Sequence, residues 1–276
     1  MILREAIEIA VASDTGRVRQ HNEDSTAEDI DIGLAVLADG MGGYKAGEVA
    51  SAIATTIMYR EIRSALETLV RGQTDQATGY RYESLVMRDA IALANEIIYK
   101  AAHDDPEFDG MGTTAVATLF YDNRVTIAHV GDSRGYRWRG GKLEQLTVDH
   151  TVVQEYLNSG LYTPEQARAS TDKNLVTRAL GIAADVEVDL GEYKVQSQDI
   201  YLLCSDGLTD LVDDPAIAAA LERRDETLET SAARLVELAN SKGGIDNISI
   251  ILVRITQPFT TPSSWQTKLA EWFTSS

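Results

Sequence analysis

The chain predicts an α+β fold in which antiparallel sheets form a sandwich covered by helices. Three features lead there: short apolar runs bounded by turn residues, two-residue hairpin signals between neighbouring runs, and separate pairs of stretches with helical apolar spacing. Ala6 to Ser13 and Ile32 to Asp39 read as strands, being short, apolar and closed off by polar or glycine residues. From Ala46 to Leu69, apolar residues recur at Val49, Ile53 and Ile57 and at Ala50, Ala54 and Met58, which makes one wide stripe on a long helix. A polar loop from Gly72 to Gly79 ends it. Val86, Ala90, Leu93, Ile97 and Ala101 then mark a second helix, expected to pair antiparallel with the first. Thr114 to Tyr121, Val125 to Val130, Arg134 to Arg139 and Lys142 to Leu146 read as strands, with Asp122-Asn123 and Gly140-Gly141 as hairpin turns. They are expected to form one antiparallel meander. Short helices follow at Thr151 to Ser159 and, behind Pro164, at Glu165 to Ala169. Strands return at Val186 to Tyr193, Asp199 to Ser205 and Ile248 to Ile255, with helices near Pro215 to Arg223 and Leu228 to Ser241 between the last two. Hairpins flanked by helix pairs argue against a doubly wound parallel sheet.

Composition narrows the chemistry. A chain of 276 residues is long enough to bury one substantial core or two small ones, and a single enzyme-sized domain is expected. Its formal charge of -18 and pI near 4.6 argue against a nucleic-acid partner, which demands clustered Lys and Arg. The single cysteine, Cys204, excludes an intrachain disulfide framework and a multi-cysteine zinc site, and fits a reducing, cytoplasmic setting. The N-terminal MILREAIEIAVAS has acids in its apolar stretch and no basic leader, and no run of about 18 apolar residues occurs, so a soluble protein without a transmembrane segment is expected.

Four aspartates sit where an apolar run meets a turn: LAVLADG carries Asp39, AHVGDS Asp132, YLLCSDG Asp206, and Asp246 precedes the run NISIILV. That pattern aims several carboxylates at one end of a β-structure, where they repel one another unless a cation lies between them. Oxygen ligands favour Mg²⁺, Mn²⁺ or Ca²⁺ over softer ions. Glycine at position 40 allows a backbone carbonyl to approach such a cation closely. The histidines, His21, His103, His129 and His150, show no zinc-type spacing; His129 reads as structural and His150 as orienting a loop. A cysteine-based phosphate loop needs arginine six residues after its nucleophile, and position 210 is Asp, so Cys204 reads as a small buried hydrophobe.

The ordered set RxxNED at 19 to 24, DGMGG from Asp39 with Gly47-Glu48 after it, GMGTT at 110 to 114, GDSR at 131 to 134, LTxDH at 146 to 150, TRALG at 177 to 181, SDGL at 205 to 208 and DNIS at 246 to 249 closely resembles the metal-dependent serine/threonine protein phosphatases, the PPM or type 2C family, in their bacterial form. The match spans about residues 5 to 255. The resemblance implies an α-β-β-α sandwich, two antiparallel sheets flanked by helix pairs, as a phosphatase domain over 1–255, with a flap at about 151–183 and a C-terminal tail at 256–276. It implies a centre of two Mn²⁺ or Mg²⁺ ions with a third, looser one. By motif position Asp39 bridges two metals, Asp206 and Asp246 complete the first, and the Gly40 carbonyl contacts the second. Glu23 and Asp24 bind the second directly or through its waters. Asp132 with Asp206 matches the third. Arg19 matches the arginine that holds the substrate phosphate, and Asn174, Thr177 and Arg178 in the flap are candidates for phosphopeptide contacts.

The implied substrates are phosphoserine and phosphothreonine in proteins, the products of a bacterial serine/threonine kinase in signal transduction, and a monomer is expected. Two metals roughly 3.5 to 4 Å apart lower the pKa of a bridging water and neutralise phosphoryl oxygens, so the implied reaction is direct attack of a bridging hydroxide with no phosphoenzyme. The Arg19 fork, which lysine lacks, suits paired phosphate oxygens. Two departures concern the leaving group. Relatives carry histidine at the positions of Met41 or Tyr44, and this chain has neither, so its protonation falls to a metal-coordinated water or to His21 if that loop turns inward. A catalytically silent phosphoprotein-binding domain is the alternative from another class, disfavoured by the full set of acids. An acidic Ca²⁺-binding protein is a third, without EF-hand spacing. In the tail, Trp265, Leu269, Trp272 and Phe273 fit one face of a short helix that docks on the domain rather than on a membrane, having too few cations for anionic lipid.

Overall fold

A computed structural model describes residues 3–42, 46–170, 175–223 and 226–259. Two antiparallel sheets lie face to face. The first has the order β1 (Ile7–Asp14), β11 (Ile248–Ile255), β10 (Ile200–Cys204), β7 (Arg134–Arg139) and β8 (Lys142–Gln145). The second has the order β2 (Asp24–Asp29), β3 (Leu34–Met41), β5 (Ala115–Tyr121), β6 (Arg124–Val130) and β9 (Asp189–Lys194), with the short β4 (Gly112–Thr113) beside the end of β3.

Period-two alternation explains why the central strands are apolar on both faces. In β3, Ala35 and Leu37 point between the sheets to meet Val116, Ile127, Leu203, Ile251 and Val253. Leu34, Val36 and Ala38 point the other way, onto α1 (Ala46–Thr68) and α2 (Tyr82–Asp104), whose buried stripes carry Ala50, Ala54, Met58 and Ile62, and Met87, Ile91, Ala94 and Ile98. β11 divides its residues likewise: Ile251 and Val253 face the inter-sheet core, while Ile250 and Leu252 face α6 (Asp214–Leu221) and α7 (Leu228–Ser241). The result is the expected α-β-β-α layering. Packing runs slightly past the expected domain boundary, since Phe259 is buried between the sheets and its amide donates to Asn123 Oδ1 at 2.5 Å. The tail residues Trp265, Leu269, Trp272 and Phe273 lie outside the described residues.

The hairpin signals hold, for Asp122 and Asn123 (φ 45° and 54°) and Gly140 and Gly141 (58° and 85°) all adopt the left-handed conformation that such turns need. The meander does not hold. β6 pairs with β5 and β9, whereas β7 pairs with β10 and β8, so the chain changes sheets at Gly131–Ser133. Gly131 makes that crossing at φ +105°, where a Cβ would lie 2.6 Å from the Thr114 methyl. A second difference is β2. Its sequence DSTAED has no apolar alternation because it is a half-buried edge strand, ordered by the ladder that β3 offers. The flap carries α3 (Val152–Asn158) and α4 (Pro164–Ala169), capped by Thr151 and Thr163. A four-residue helix, α5 (Asp206–Thr209), follows β10 and was too short to read from periodicity.

Leu37→Ala opens a void in the dry layer between the sheets. A loss of about 2–5 kcal/mol is expected, measured as a lower midpoint of urea unfolding with an unchanged slope.

Candidate metal centre and active-site cleft

The motif aspartates sit where strands stop, at one end of the sandwich. Asp39 ends the apolar run of β3, and Asp24 faces it as its direct partner across the β2–β3 ladder. Asp132 sits on the crossing between sheets, Asp206 opens α5 directly after β10, and Asp246 precedes β11. The carboxylates of Asp24, Asp132, Asp206 and Asp246 all act electrostatically on Asp39. The structure therefore brings these five together.

Their electrostatics are those of a cation site. Burial first, then the carboxylates of Asp24, Asp206, Asp132 and Asp246, push Asp39 well above the usual carboxylate range. Asp206 is raised in the same way, by burial and then by Asp132, Asp210 and Asp246. Burial pushes Asp24 up to about 6 against the opposing hydrogen bonds of Ser249 and Ser205. Asp132 is pushed up to about 6 by burial and then Asp149. Ser205 Oγ donates to Asp24 Oδ2 at 2.9 Å, while Asp24 Oδ1 is buried with no partner. An orphaned buried carboxylate oxygen inside a ring of acids fits a hard divalent ion. Ser205 and Ser249 were missed from sequence; their only signal is their place beside Asp206 and Asn247 in the SDGL and DNIS motifs.

Glu23 and Arg19 border the cluster. Glu23 is raised by burial, with Arg19 opposing and Asp246 and Glu48 adding to it. Arg19 NH2 donates to Asp246 Oδ2 at 2.7 Å and remains half-exposed. The Gly40 amide donates to the Glu23 carbonyl at 3.1 Å, and a Cβ on Gly40 would fall 2.1 Å from the Gly47 carbonyl, so that approach admits no side chain. A cleft of about 590 Å³ opens from Asp132 and Asp206 toward Val153, Leu157 and Ala167 of the flap helices. His21 is exposed, Met41 is half-buried, and Tyr44 and Asn174 lie outside the described residues. Cys204 is fully buried, and burial pushes its thiol up to about 12, so it is inert.

Arg178 is not brought to this cluster. Its NH1 donates to Asp189 Oδ1 at 2.8 Å and lies 3.1 Å from His150 Nε2, and its NH2 reaches Glu187 at 3.3 Å. His150 stacks on His129 with centroids 4.9 Å apart and accepts the Gly131 amide at Nδ1, while Thr177 reaches the same knot only through its amide, which donates to the His150 carbonyl. Among the described residues, His129, His150 and Asp189 are the trio of ligand-type atoms within 4.8 Å of one another. There, however, the Arg178 guanidinium already supplies the cation. The cleft acids form no such trio among the described residues; Arg19 meets Asp246 at their rim, and Arg134 acts on Asp132.

The profile of the family described as Protein phosphatase 2C matches residues 15–240. The chain belongs to that family. A curated relative, the serine/threonine phosphatase stp of Listeria monocytogenes, is 39% identical over 244 residues, covering 87% of this chain and 93% of that protein. The serine/threonine protein phosphatase PstP of Mycobacterium tuberculosis is 40% identical over 247 residues, 89% of this chain but 44% of the longer PstP. Among solved structures, the Mycobacterium tuberculosis phosphatase PstP/Ppp superposes with a TM-score of 0.80 at 38% identity, covering 91% of this chain and all of that one. The PstP catalytic domain in complex with two manganese ions gives 0.78 at 37% identity, covering 91% and 99%. The protein phosphatase 2C fold thus accounts for the sheets, both helix pairs and the acid-lined end.

The raised carboxylates set a sign for pH. Folded pKa values above the unfolded value near 4 mean that the contribution of these carboxylates to the stability of the metal-free chain is fully present below that pH and is lost as pH rises through about 6. A divalent ion must displace these protons, so its benefit grows with pH. Thermal melts in EDTA and in Mn²⁺ are expected to differ little at pH 5 and widely at pH 8. An equal gain at both would remove these carboxylates as ligands.

Proposed function

We propose that this chain is a Mn²⁺- or Mg²⁺-dependent protein phosphatase that removes phosphate from phosphoserine and phosphothreonine. The observation that carries this reading is the convergence of Asp24, Asp39, Asp132, Asp206 and Asp246 on one buried point with Arg19 at its rim. Asp39, Asp206 and Asp246 would hold the first ion; Asp39, Glu23, Asp24 and the Gly40 carbonyl the second; and Asp132 with Asp206 a third. When bound, these ions supply the charge that acidifies a water and screens the phosphoryl oxygens.

The protein's own groups do the rest. Ser205, whose hydroxyl accepts the Ser249 amide at 3.0 Å, donates to Asp24 Oδ2 and leaves the second oxygen buried and unpartnered. Arg19 offers a planar pair of donors at the rim. Were Asp246 to hold an ion, Arg19 could turn from that carboxylate toward a substrate phosphate and orient the ester. The cleft toward α3 and α4 has room for the residues flanking the phosphorylated side chain. Arg178, committed to Asp189 and His150, acts in this reading by fixing the base of the flap. The single cysteine supports a reducing, cytoplasmic setting, where the enzyme would oppose a serine/threonine kinase. Among the described residues no helix is long and apolar enough to cross a membrane.

Phosphate release from a phosphothreonine peptide is expected with Mn²⁺, to vanish in EDTA, and to fall by more than about 100-fold in Asp39→Asn, since disturbing even an outer partner of a ligand costs 10–100-fold. Metal binding by the wild type without turnover would instead identify a silent binding domain. Arg19→Lys keeps the charge and loses the fork, so kcat/KM should drop about 10- to 100-fold, the worth of one charge-assisted hydrogen bond. The rise should fall mainly on KM.

A further inference from the structure

We infer that Asn247 is a positioning residue that holds the Arg19 loop in register with the metal centre. This rests on the reading of Arg19 as the phosphate-binding group. Asn247 is 5% exposed, and its side-chain amide is engaged at three backbone points. Nδ2 donates to the carbonyls of Thr15 at 3.0 Å and His21 at 2.9 Å, and Oδ1 accepts the Glu23 amide at 2.8 Å. Those partners bracket Arg19 on both sides.

The loop needs such a fastener. Between the end of β1 at Asp14 and the start of β2 at Asp24 it contributes no buried apolar side chain, and Val18 is 64% exposed. Its near end is tied down by Asp14 Oδ1, which accepts the Gly16 amide, and by the Arg17 amide, which donates to the Gly244 carbonyl at 2.6 Å. Beyond Arg17, the two Asn247 contacts at His21 and Glu23 are what tie the main chain to the β11 side of the centre. Asn247 itself is fixed by its own amide, which donates to Asp246 Oδ1 at 2.8 Å, and Asp246 Oδ2 faces Arg19. One dipeptide therefore presents a candidate metal ligand and sets the distance from that ligand to the phosphate-binding guanidinium. A shift of about 1 Å in such a group is enough to cost two orders of magnitude in rate.

A carboxamide meets all three demands, which require two donors and one acceptor on a single planar group. Aspartate retains the acceptor for Glu23 and turns its other oxygen against two carbonyls. The test is a double-mutant cycle at saturating Mn²⁺ on Asn247→Ala, Arg19→Ala and the pair, reading the inhibition constant of inorganic phosphate and the KM for a phosphothreonine peptide. Asn247→Ala is expected to raise both about 10-fold in the wild-type background and to have little effect once Arg19 is gone. If Arg19→Ala alone changes neither constant, the phosphate-binding reading of Arg19 fails. If Arg19→Ala does change them but the two substitutions simply add, the positioning proposal fails. Asn247→Asp is carried through the same cycle with the same expectation, and near-UV circular dichroism is recorded for each protein. Loss of the native spectrum in both Asn247 variants would show that the residue serves folding alone and would overturn the proposal.

Discussion

Repulsion among carboxylates gathered at one end of a sandwich is the constraint on which the rest of this structure depends. Asp39 feels Asp24, Asp206, Asp132 and Asp246 at once, in surroundings where burial already disfavours charge. No flexible segment would hold such an arrangement. Each acid is accordingly placed at the end of, or directly beside, a strand whose inward residues are locked in a dry layer: Leu37 below Asp39, Leu203 below Asp206, Ile251 beyond Asp246. The apolar sandwich provides stability that the charged end removes, a common division between scaffold and site.

Other charged groups in the same fold show what a purely structural cluster looks like. Asp149 takes three hydrogen bonds from Arg134, and the buried Asp199 takes a two-pronged one from Arg139 at 2.6 Å. Asp189 has Arg178. In each case the chain supplies its own cation, so the carboxylate is satisfied and closed to a ligand. Among the described residues the cleft acids differ in that Arg19 meets only the rim carboxylate Asp246, and an oxygen of Asp24 is buried and unpartnered. That difference, rather than the number of acids, separates a site from a salt-bridge network.

Much of this was legible in the sequence because the strands that matter are buried on both faces. β3 and β11 read as unbroken apolar runs, and the acids at their ends stand out against them. The stripes of α1 and α2 and the Asp122-Asn123 and Gly140-Gly141 turns were equally plain, each being a local signal. What could not be read depends on partners distant in sequence. β2 is a strand only because β3 pairs with it, and that pairing is what sets Asp24 against Asp39. The change of sheet at Gly131 leaves no mark in the alternation of β6 and β7, so four strands looked like one meander. Arg178 sits in a motif, but whether it faces a substrate or Asp189, 11 positions further along, is decided by how the intervening chain folds back.

The choice among three arginines follows from the same reasoning. Arg134 holds the largely buried Asp149 through several bonds, and withdrawing it would strand that charge away from water, a loss of about 3–5 kcal/mol; Arg178 is held by Asp189, by the Glu187 side chain and carbonyl and by the His150 ring together. Arg19 makes one contact, to an Asp246 whose other oxygen is already satisfied by the Asn247 amide, and its side chain is 51% exposed. Exposed pairs of this kind contribute at most about 1 kcal/mol. Of the three, Arg19 is therefore the one whose release from its carboxylate costs least.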